Sequence, residues 1–312
     1  MARFLNVGAA QLGPIQRADS QASVVRRMIE LMREAKGRGC ELVVFPELAL
    51  TTFFPRWYLE DQREIDAFFE AEMPGPETQS LFDEAARLEL GFYLGYAELA
   101  VEDGASRRFN TCILVDKSGR IVGKYRKVHL PGHADHQPWR PFQHLEKRYF
   151  EVGNLGFPVY RAFNGLFGMC ICNDRRWPET YRVMGLQGVE MVLLGYNTPI
   201  YQADMPEVNH LQGFHNLLSM QAGAYQNGAW VVGVAKAGCE EGCDLLGQSA
   251  IIAPSGEVAA LCHTLGDELI TVRADLDAGA GYKRTVFNFA VHRRPEHYGL
   301  ITSRTGAEPP AE

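Results

Sequence analysis

The sequence predicts an α/β protein in which two similar halves stack sheet on sheet, giving a four-layer α-β-β-α sandwich. Three observations carry this reading. A hairpin signal occurs twice, as ILVDKSGRIV (113–122) and IIAPSGEVA (251–259), with Ser118-Gly119 matching Ser255-Gly256. The same offset carries FYLGYAEL (92–99) onto AWVVGVAK (229–236) and the helix-like SLFDEAARLELG (80–91) onto LLSMQAGAYQNG (217–228). The strand segments are rich in β-branched and apolar residues, as in sheets covered on both faces. Two halves that each leave one sheet face to bury cover it against each other, with helices outside.

The elements follow in order. Val24, Met28, Leu31, Met32 and Ala35 fall at helical spacing after Asp19 and Ser20, either of which can cap. GCELVVFPE (39–47) then reads as a strand and reappears as GVEMVLLGYN (188–197) at a different offset, because loop lengths differ. In the second half Pro178, after Trp177, suits the first turn of a helix. Each half thus reads strand, helix, strand, helix, strand, hairpin strand. No Pro/Gly/Ser-rich linker separates them, so the expectation is one domain over 1–312 with a C-terminal tail from about 285. Two separate doubly wound domains are the alternative.

Composition narrows the function. With 312 residues and 46% hydrophobic content the chain can bury a large core. Lys and Arg number 31 against 38 Asp and Glu, a net −7, and are scattered, so the basic footprint that nucleic acid requires is missing. No stretch approaches the ~18 apolar residues of a membrane span, and MARFLNVGAAQLGP is too short in apolar residues for a signal peptide. A cytoplasmic protein is expected. Its seven cysteines, at 40, 112, 170, 172, 239, 243 and 262, read as reduced thiols. Cys239 and Cys243 lack the spacing of a zinc site, and no metal or cofactor is expected.

Ligands of open α/β sheets sit beyond the carboxyl ends of the strands. That rule selects Glu47 at the end of ELVVFPE, Lys127 at the end of RIVGKYRK and Cys172 at the end of GMCIC, while Cys170 reads as its packing neighbour. A cysteine attacks as its thiolate and needs a base or positive surroundings, which Glu47 and Lys127 supply. The Asn173 backbone N–H and the Lys127 ammonium suit an oxyanion. Arg175 and Arg176 are candidates for a substrate carboxylate, Arg176 the better placed; the alternative is a surface ion-pair cluster with Asp174 and Glu179. Asn197 and Thr198 end the strand that matches the Glu47 strand, and are expected either to hydrogen-bond substrate or to make the turn. HLPGHADHQPWRPFQH (129–144) holds four histidines, but Gly and Pro break any helix that would align them on a metal.

VVFPEL around Glu47, GKYRKVHLP around Lys127 and CICNDRRWPE around Cys172 resemble, in order and spacing, the three motif blocks of the nitrilase superfamily of carbon–nitrogen hydrolases. The resemblance implies a nitrilase-like αββα sandwich, usually assembled as a homodimer or homotetramer. It also implies a triad of Cys172 as nucleophile, Glu47 as general base and Lys127 as oxyanion stabiliser, with Glu146 in HLEKRYF as a second, supporting glutamate. His129 and His144 are implied to polarise or position substrate. Within the superfamily, ELALTTFFPRW, HLEKRYFE, CNDRRWPE, GYNTP and NLLSMQAGAYQNGAW look like N-carbamoyl-D-amino acid amidohydrolases. That branch implies hydrolysis of an N-carbamoyl-D-amino acid to the D-amino acid, ammonia and carbon dioxide; the preference for D rests on the resemblance alone. The rival readings are a β-ureidopropionase, an aliphatic amidase or a nitrilase, a non-catalytic binding protein on the same fold, and a metal-dependent hydrolase built on the histidine-rich loop.

Overall fold

The structure is a computed structural model and describes residues 2–310; Met1, Ala311 and Glu312, part of the expected 1–312 domain, lie outside the described residues. In chain order the first half runs β1 (Phe4–Gln11), α1 (Gln21–Gly37), β2 (Leu42–Val44), α2 (Gln62–Asp66), α3 (Gln79–Leu88), β3 (Gly91–Glu102), β4 (Ala105–Val115), β5 (Ile121–Arg126) and the short α4 (Glu146–Tyr149). The second half runs β6 (Val159–Ala162), β7 (Gly165–Ile171), α5 (Pro178–Leu186), β8 (Met191–Tyr196), α6 (Gln212–Asn227), β9 (Trp230–Ala235), β10 (Ala237–Glu240), β11 (Cys243–Leu246), β12 (Ala250–Ile252) and β13 (Val258–Leu261). β14 (Glu268–Asp275), α7 (Ala280–Arg284), α8 (Phe289–His292) and α9 (Gly299–Ser303) follow.

Two six-stranded sheets form, in the orders β14-β1-β2-β3-β4-β5 and β13-β12-β9-β8-β7-β6. The repeat is visible strand by strand. β1-β2-β3 and β7-β8-β9 are parallel, and β4-β5 and β12-β13 are the two hairpins. The edge strands β6 and β14 go beyond the expected pattern. β6 pairs antiparallel with β7, and β14 returns from the end of the second half to pair antiparallel with β1. Each gives the first parallel strand of a half its outer partner, a need the repeated segments themselves do not reveal.

Alternation along the central strands separates the layers. Leu42 and Val44 pack with Phe167, Met169 and Leu193 between the sheets, whereas Val43 and Phe45 pack with Met28, Leu31 and Met32 of α1 outside. Ser20 is the residue that caps α1, accepting from the Ser23 N–H at 3.2 Å, while Asp19 accepts from the Gln16 N–H. The tail after 285 folds back over α5 and α6, with Phe287 against Tyr225 and Arg182 over Phe289. Among the described residues no helix is long and apolar enough to cross a membrane.

One close approach positions the site. The Pro46–Glu47 backbone threads between Gly95 of β3 and Gly195 of β8. A Cβ on Gly95 would lie 2.7 Å from the Pro46 carbonyl oxygen, and one on Gly195 would lie 2.3 Å from the Glu47 nitrogen. Gly195→Ala should therefore push Glu47 off its seat. The expected result is a stability loss of about 1–3 kcal/mol by thermal unfolding and a turnover loss on the order of 10²-fold, whereas a passive turn glycine would lose stability alone.

Candidate active site

Four strand ends converge on one point. β2 delivers Glu47, β5 delivers Lys127, β7 delivers Cys172 and β8 delivers Asn197, all buried. Lys127 Nζ lies 2.8 Å from Glu47 Oε1 and 2.6 Å from Glu146 Oε2, so one ammonium bridges two carboxylates with no measurable exposure on any of the three side chains. Burial alone would lower the lysine pKa, but Cys172, Glu146 and Glu47 outweigh it and hold Lys127 firmly protonated. Burial likewise pushes Glu146 up, and Lys127 with His144 more than reverses this. Each carboxylate has further partners. Glu47 accepts from the Asn110 side chain at 2.8 Å and from the Asn197 backbone N–H at 2.9 Å. Glu146 Oε1 lies 2.9 Å from His144 Nε2.

Cys172 opens a 3-10 turn, Cys172–Arg176, with φ at +48°. A non-glycine residue held there stores of order 1–3 kcal/mol, and persists only where its surroundings over-determine it. Asp174 does much of that. Its carboxylate accepts from the Ile171 N–H at 3.0 Å, the Tyr125 hydroxyl at 2.7 Å and the His129 N–H at 2.9 Å, with His129 Nδ1 at 2.8 Å. Arg175 donates to the Cys172 carbonyl at 2.7 Å. The thiol lies 3.7 Å from the Asn197 carbonyl oxygen. Burial, reinforced by the Glu47 carboxylate, pushes it up to about 11 against the pull of Lys127 and Arg175, so the resting form is the thiol.

The residues expected at substrate divide into two groups. Arg175 is corrected from a carboxylate clamp to a brace: it is 1% exposed, donates to Asn216, the Cys172 carbonyl and Thr198 Oγ1, and stacks over Tyr196. Thr198 and the Asn197 amide N–H groups are spent likewise, on Arg175 and Glu47. Only the Asn197 side-chain oxygen is left, buried and without a partner. Asn173 donates its side chain to the His129 carbonyl. Asp174 pairs with His129 rather than with the arginines, which removes the surface ion-pair alternative. Arg176 is different. It carries no ion pair among the described residues; although exposed by area, it is desolvated enough that, with the like charge of Arg175, its pKa is pushed down to about 10.

The histidines of 129–144 go to separate partners: His129 to Asp174, His133 to the Asp135 carbonyl, His136 to a stack on Tyr58, and His144 to Glu146. Beside Asn197 and His144 opens a recess of about 50 Å³ lined by Phe53, Phe142, Pro199 and Tyr201. Asn110 and Tyr125 were silent in the sequence and Asp174 stood there only as an ion-pair candidate, all three being ordinary strand and turn residues until the fold aims them. A buried acid, a bridging ammonium and a thiol at a strained strand end are the equipment for nucleophilic acyl transfer.

Residues 6–284 match the family model of carbon-nitrogen hydrolases, and the chain belongs to that family, an enzyme acting on carbon–nitrogen bonds. Among curated relatives it is similar to the nitrilase of Pyrococcus abyssi, 28% identical over 274 residues that cover 88% of this chain and 90% of that one. It is also similar to the N-carbamoylputrescine amidase of Solanum lycopersicum, 26% identical over 98% of each chain. The fold is similar to a carbon-nitrogen hydrolase from Helicobacter pylori G27, with a TM-score of 0.82 at 22% identity over 96% of this chain and 99% of that one. An amidase mutant from Nesterenkonia sp. AN1, carrying the acetamide moiety of fluoroacetamide on its active-site cysteine, gives 0.71 at 18% identity over 96% of each.

With the thiol raised to about 11, fewer than roughly one in a thousand Cys172 side chains is a thiolate at neutral pH. Reaction there needs a base. Glu47→Gln removes the base and also part of what lifts the thiol, so iodoacetamide alkylation of Cys172, followed by peptide mass spectrometry, should slow on the order of 10-fold at pH 7.5 while the thiol itself ionises at a lower pH than in the parent. The gap should close as the pH approaches the thiol's own ionisation, and a gap that stays constant would remove Glu47 from the base role.

Proposed function

We propose that this enzyme hydrolyses N-carbamoyl-D-amino acids to the D-amino acid, ammonia and carbon dioxide. Cys172 Sγ attacks the ureido carbonyl while Glu47 takes its proton. The tetrahedral oxyanion is met by the Lys127 ammonium and the Asn173 N–H, donors that are set before charge develops. One nitrogen leaves with the proton held by Glu47. Water, deprotonated by Glu47, then releases the acyl group from sulfur, and the resulting carbamic acid falls apart to carbon dioxide and the second amine. Glu146 and His144 keep the ammonium in place, and His129, through Asp174, keeps the Cys172 turn in place.

The observation that carries the substrate is Arg176. An unpaired, partly desolvated guanidinium next to the nucleophile turn suits a carboxylate. The tail of a cationic ureido substrate would meet a like charge. The preference for D comes from the branch resemblance. A second reading is supported by the relatives: a ureido amine of the kind named in the N-carbamoylputrescine amidases, which match over 92–98% of the chain. We also propose a homodimer or homotetramer, for which exposed Val183 and Leu186 on α5 and Phe214 and Leu218 on α6 offer apolar surface.

Ammonia and amine release from matched N-carbamoyl-D- and L-amino acids and from N-carbamoylputrescine tests this directly. Turnover should be confined to the D amino acid and abolished in Cys172→Ala; turnover of the putrescine compound alone would establish the second reading. Arg176→Ala should raise KM for the carboxylate substrate by about 10- to 100-fold, the worth of a charge-assisted hydrogen bond, with little change in kcat.

A further inference from the structure

The interior holds a second charged cluster that the mechanism above leaves unused. Lys236 and Glu240 have no exposure and Arg56 almost none. Lys236 Nζ lies 2.9 Å from Glu240 Oε2, and the Arg56 guanidinium lies 3.0 Å from Glu240 Oε1. Glu240 also accepts from the Ile15 N–H at 3.0 Å and the Phe53 N–H at 2.7 Å. Every charge is therefore paired, as burial demands. The charges do not cancel, however. Two cations face one carboxylate here, whereas in the Glu47, Lys127 and Glu146 cluster two carboxylates face one ammonium.

The two clusters are adjacent by construction. Lys236 follows β9 and Asn197 follows β8, strands that pair in parallel with Tyr196 opposite Ala235, so the two residues are neighbours at the sheet tip. Asn197 holds the Glu47 carboxylate. Lys236 donates at 2.9 Å to the carbonyl of Thr51, in the loop that leaves Glu47. The same loop carries the arm on the other side of Lys127: the Leu145 N–H donates to the Pro55 carbonyl at 2.7 Å, and Phe53 packs edge-on against His144.

We propose that Lys236, with Arg56 and Glu240, is the counter-charge of the catalytic cluster: a positioning group that fixes the loop after Glu47 and sets one net positive charge beside the net negative charge of the Glu47, Lys127 and Glu146 cluster. This rests on Glu47 as general base. The charged and titratable groups around Glu47 are Lys127 from the end of β5, Glu146 from α4, Cys172 with Arg175 behind it from the end of β7, Cys112 from β4, and Lys236. Of these cations Lys127 bridges two carboxylates and Arg175 braces the turn, while Lys236, paired with Glu240, belongs to the one cluster whose charges sum to a positive value. Burial works against the Lys236 charge and Glu240 is the chief influence preserving it, so the three residues act as one unit.

The test is the acid edge of the pH–rate profile, where Glu47 must be a carboxylate. Lys236→Met takes the second cluster from one net positive charge to none and should move that edge to higher pH by roughly one unit. Glu240→Gln removes the chief influence that preserves the Lys236 charge, so the buried amine gives up its proton, the cluster keeps the single positive charge of Arg56 and the edge should stay at the parent's position. The double variant Lys236→Met/Glu240→Gln carries that same single charge and should bring the edge back from its Lys236→Met position. A packing role would displace all three in one direction, and the double variant furthest. That pattern, or an unmoved edge in folded Lys236→Met, overturns the proposal. Should Lys236→Met fail to fold, Arg56→Met, which removes the same net charge, gives the sign. The profile is read both in kcat/KM and in iodoacetamide alkylation of Cys172, so the outcome stands even where no ureido compound is turned over.

Discussion

A lysine ammonium with no access to water governs this structure. Removing such a charge from solvent costs several kcal/mol even after relaxation, and the cost is recovered only with close, well-oriented counter-charges. Lys127 has two, Glu47 and Glu146, at 2.8 and 2.6 Å. Each carboxylate in turn has to be satisfied, and the donors come from separate parts of the fold: Asn110 from β4, Asn197 beyond β8, His144 from the loop before α4. The site is thereby tied to both sheets. The duplicated architecture makes this possible, because stacking the halves brings the tips of β2 and β8 face to face and lets a side chain from one hold the acid of the other.

The proposed nucleophile is handled in the opposite way. Lys127 is kept charged in the dark, while Cys172 is kept neutral, its thiol lifted to about 11 by burial and by the same Glu47 that accepts its proton in the proposed reaction. A resting thiol is protected from casual oxidation and ionises only as it reacts. The strain at φ +48° has a geometric use, since it turns Sγ out of the strand direction towards Asn197 and the strand ends. Asp174 maintains that turn by binding β7, Tyr125 and His129 together, so three segments must be in place before the elbow forms.

Much of this was legible in the sequence because it obeys periodic or positional rules. The repeat gave the parallel strands and hairpins, and the strand-end rule picked out Glu47, Lys127 and Cys172 before any geometry. What escaped depends on aim. The two adjacent arginines look equivalent as residues, yet the 3-10 turn after Cys172 sends Arg175 inward onto Asn216 and Thr198 and Arg176 outward. Reading that segment as an extended continuation favours Arg176 as well, but without the turn that explains why. Asn110 and Glu240 sit in strands where a polar residue reads as a solvated position, and their burial follows only from contacts between the halves. The edge strands β6 and β14 escaped because each is specified by what β1 and β7 lack.

The proposed substrate follows the same logic. Around the site the fully buried cations are matched: Lys127 by two acids, Lys236 and Arg56 by Glu240, Arg175 by hydrogen bonds and the face of Tyr196. At the nucleophile turn Arg176 is the exception, lying partly desolvated with a like charge behind it and its pKa pushed down to about 10. In the proposed reaction the unpaired guanidinium at this turn takes a substrate carboxylate. It would hold the substrate by a group remote from the bond being cleaved, so binding energy collected at Arg176 is available to orient the ureido carbonyl over Cys172.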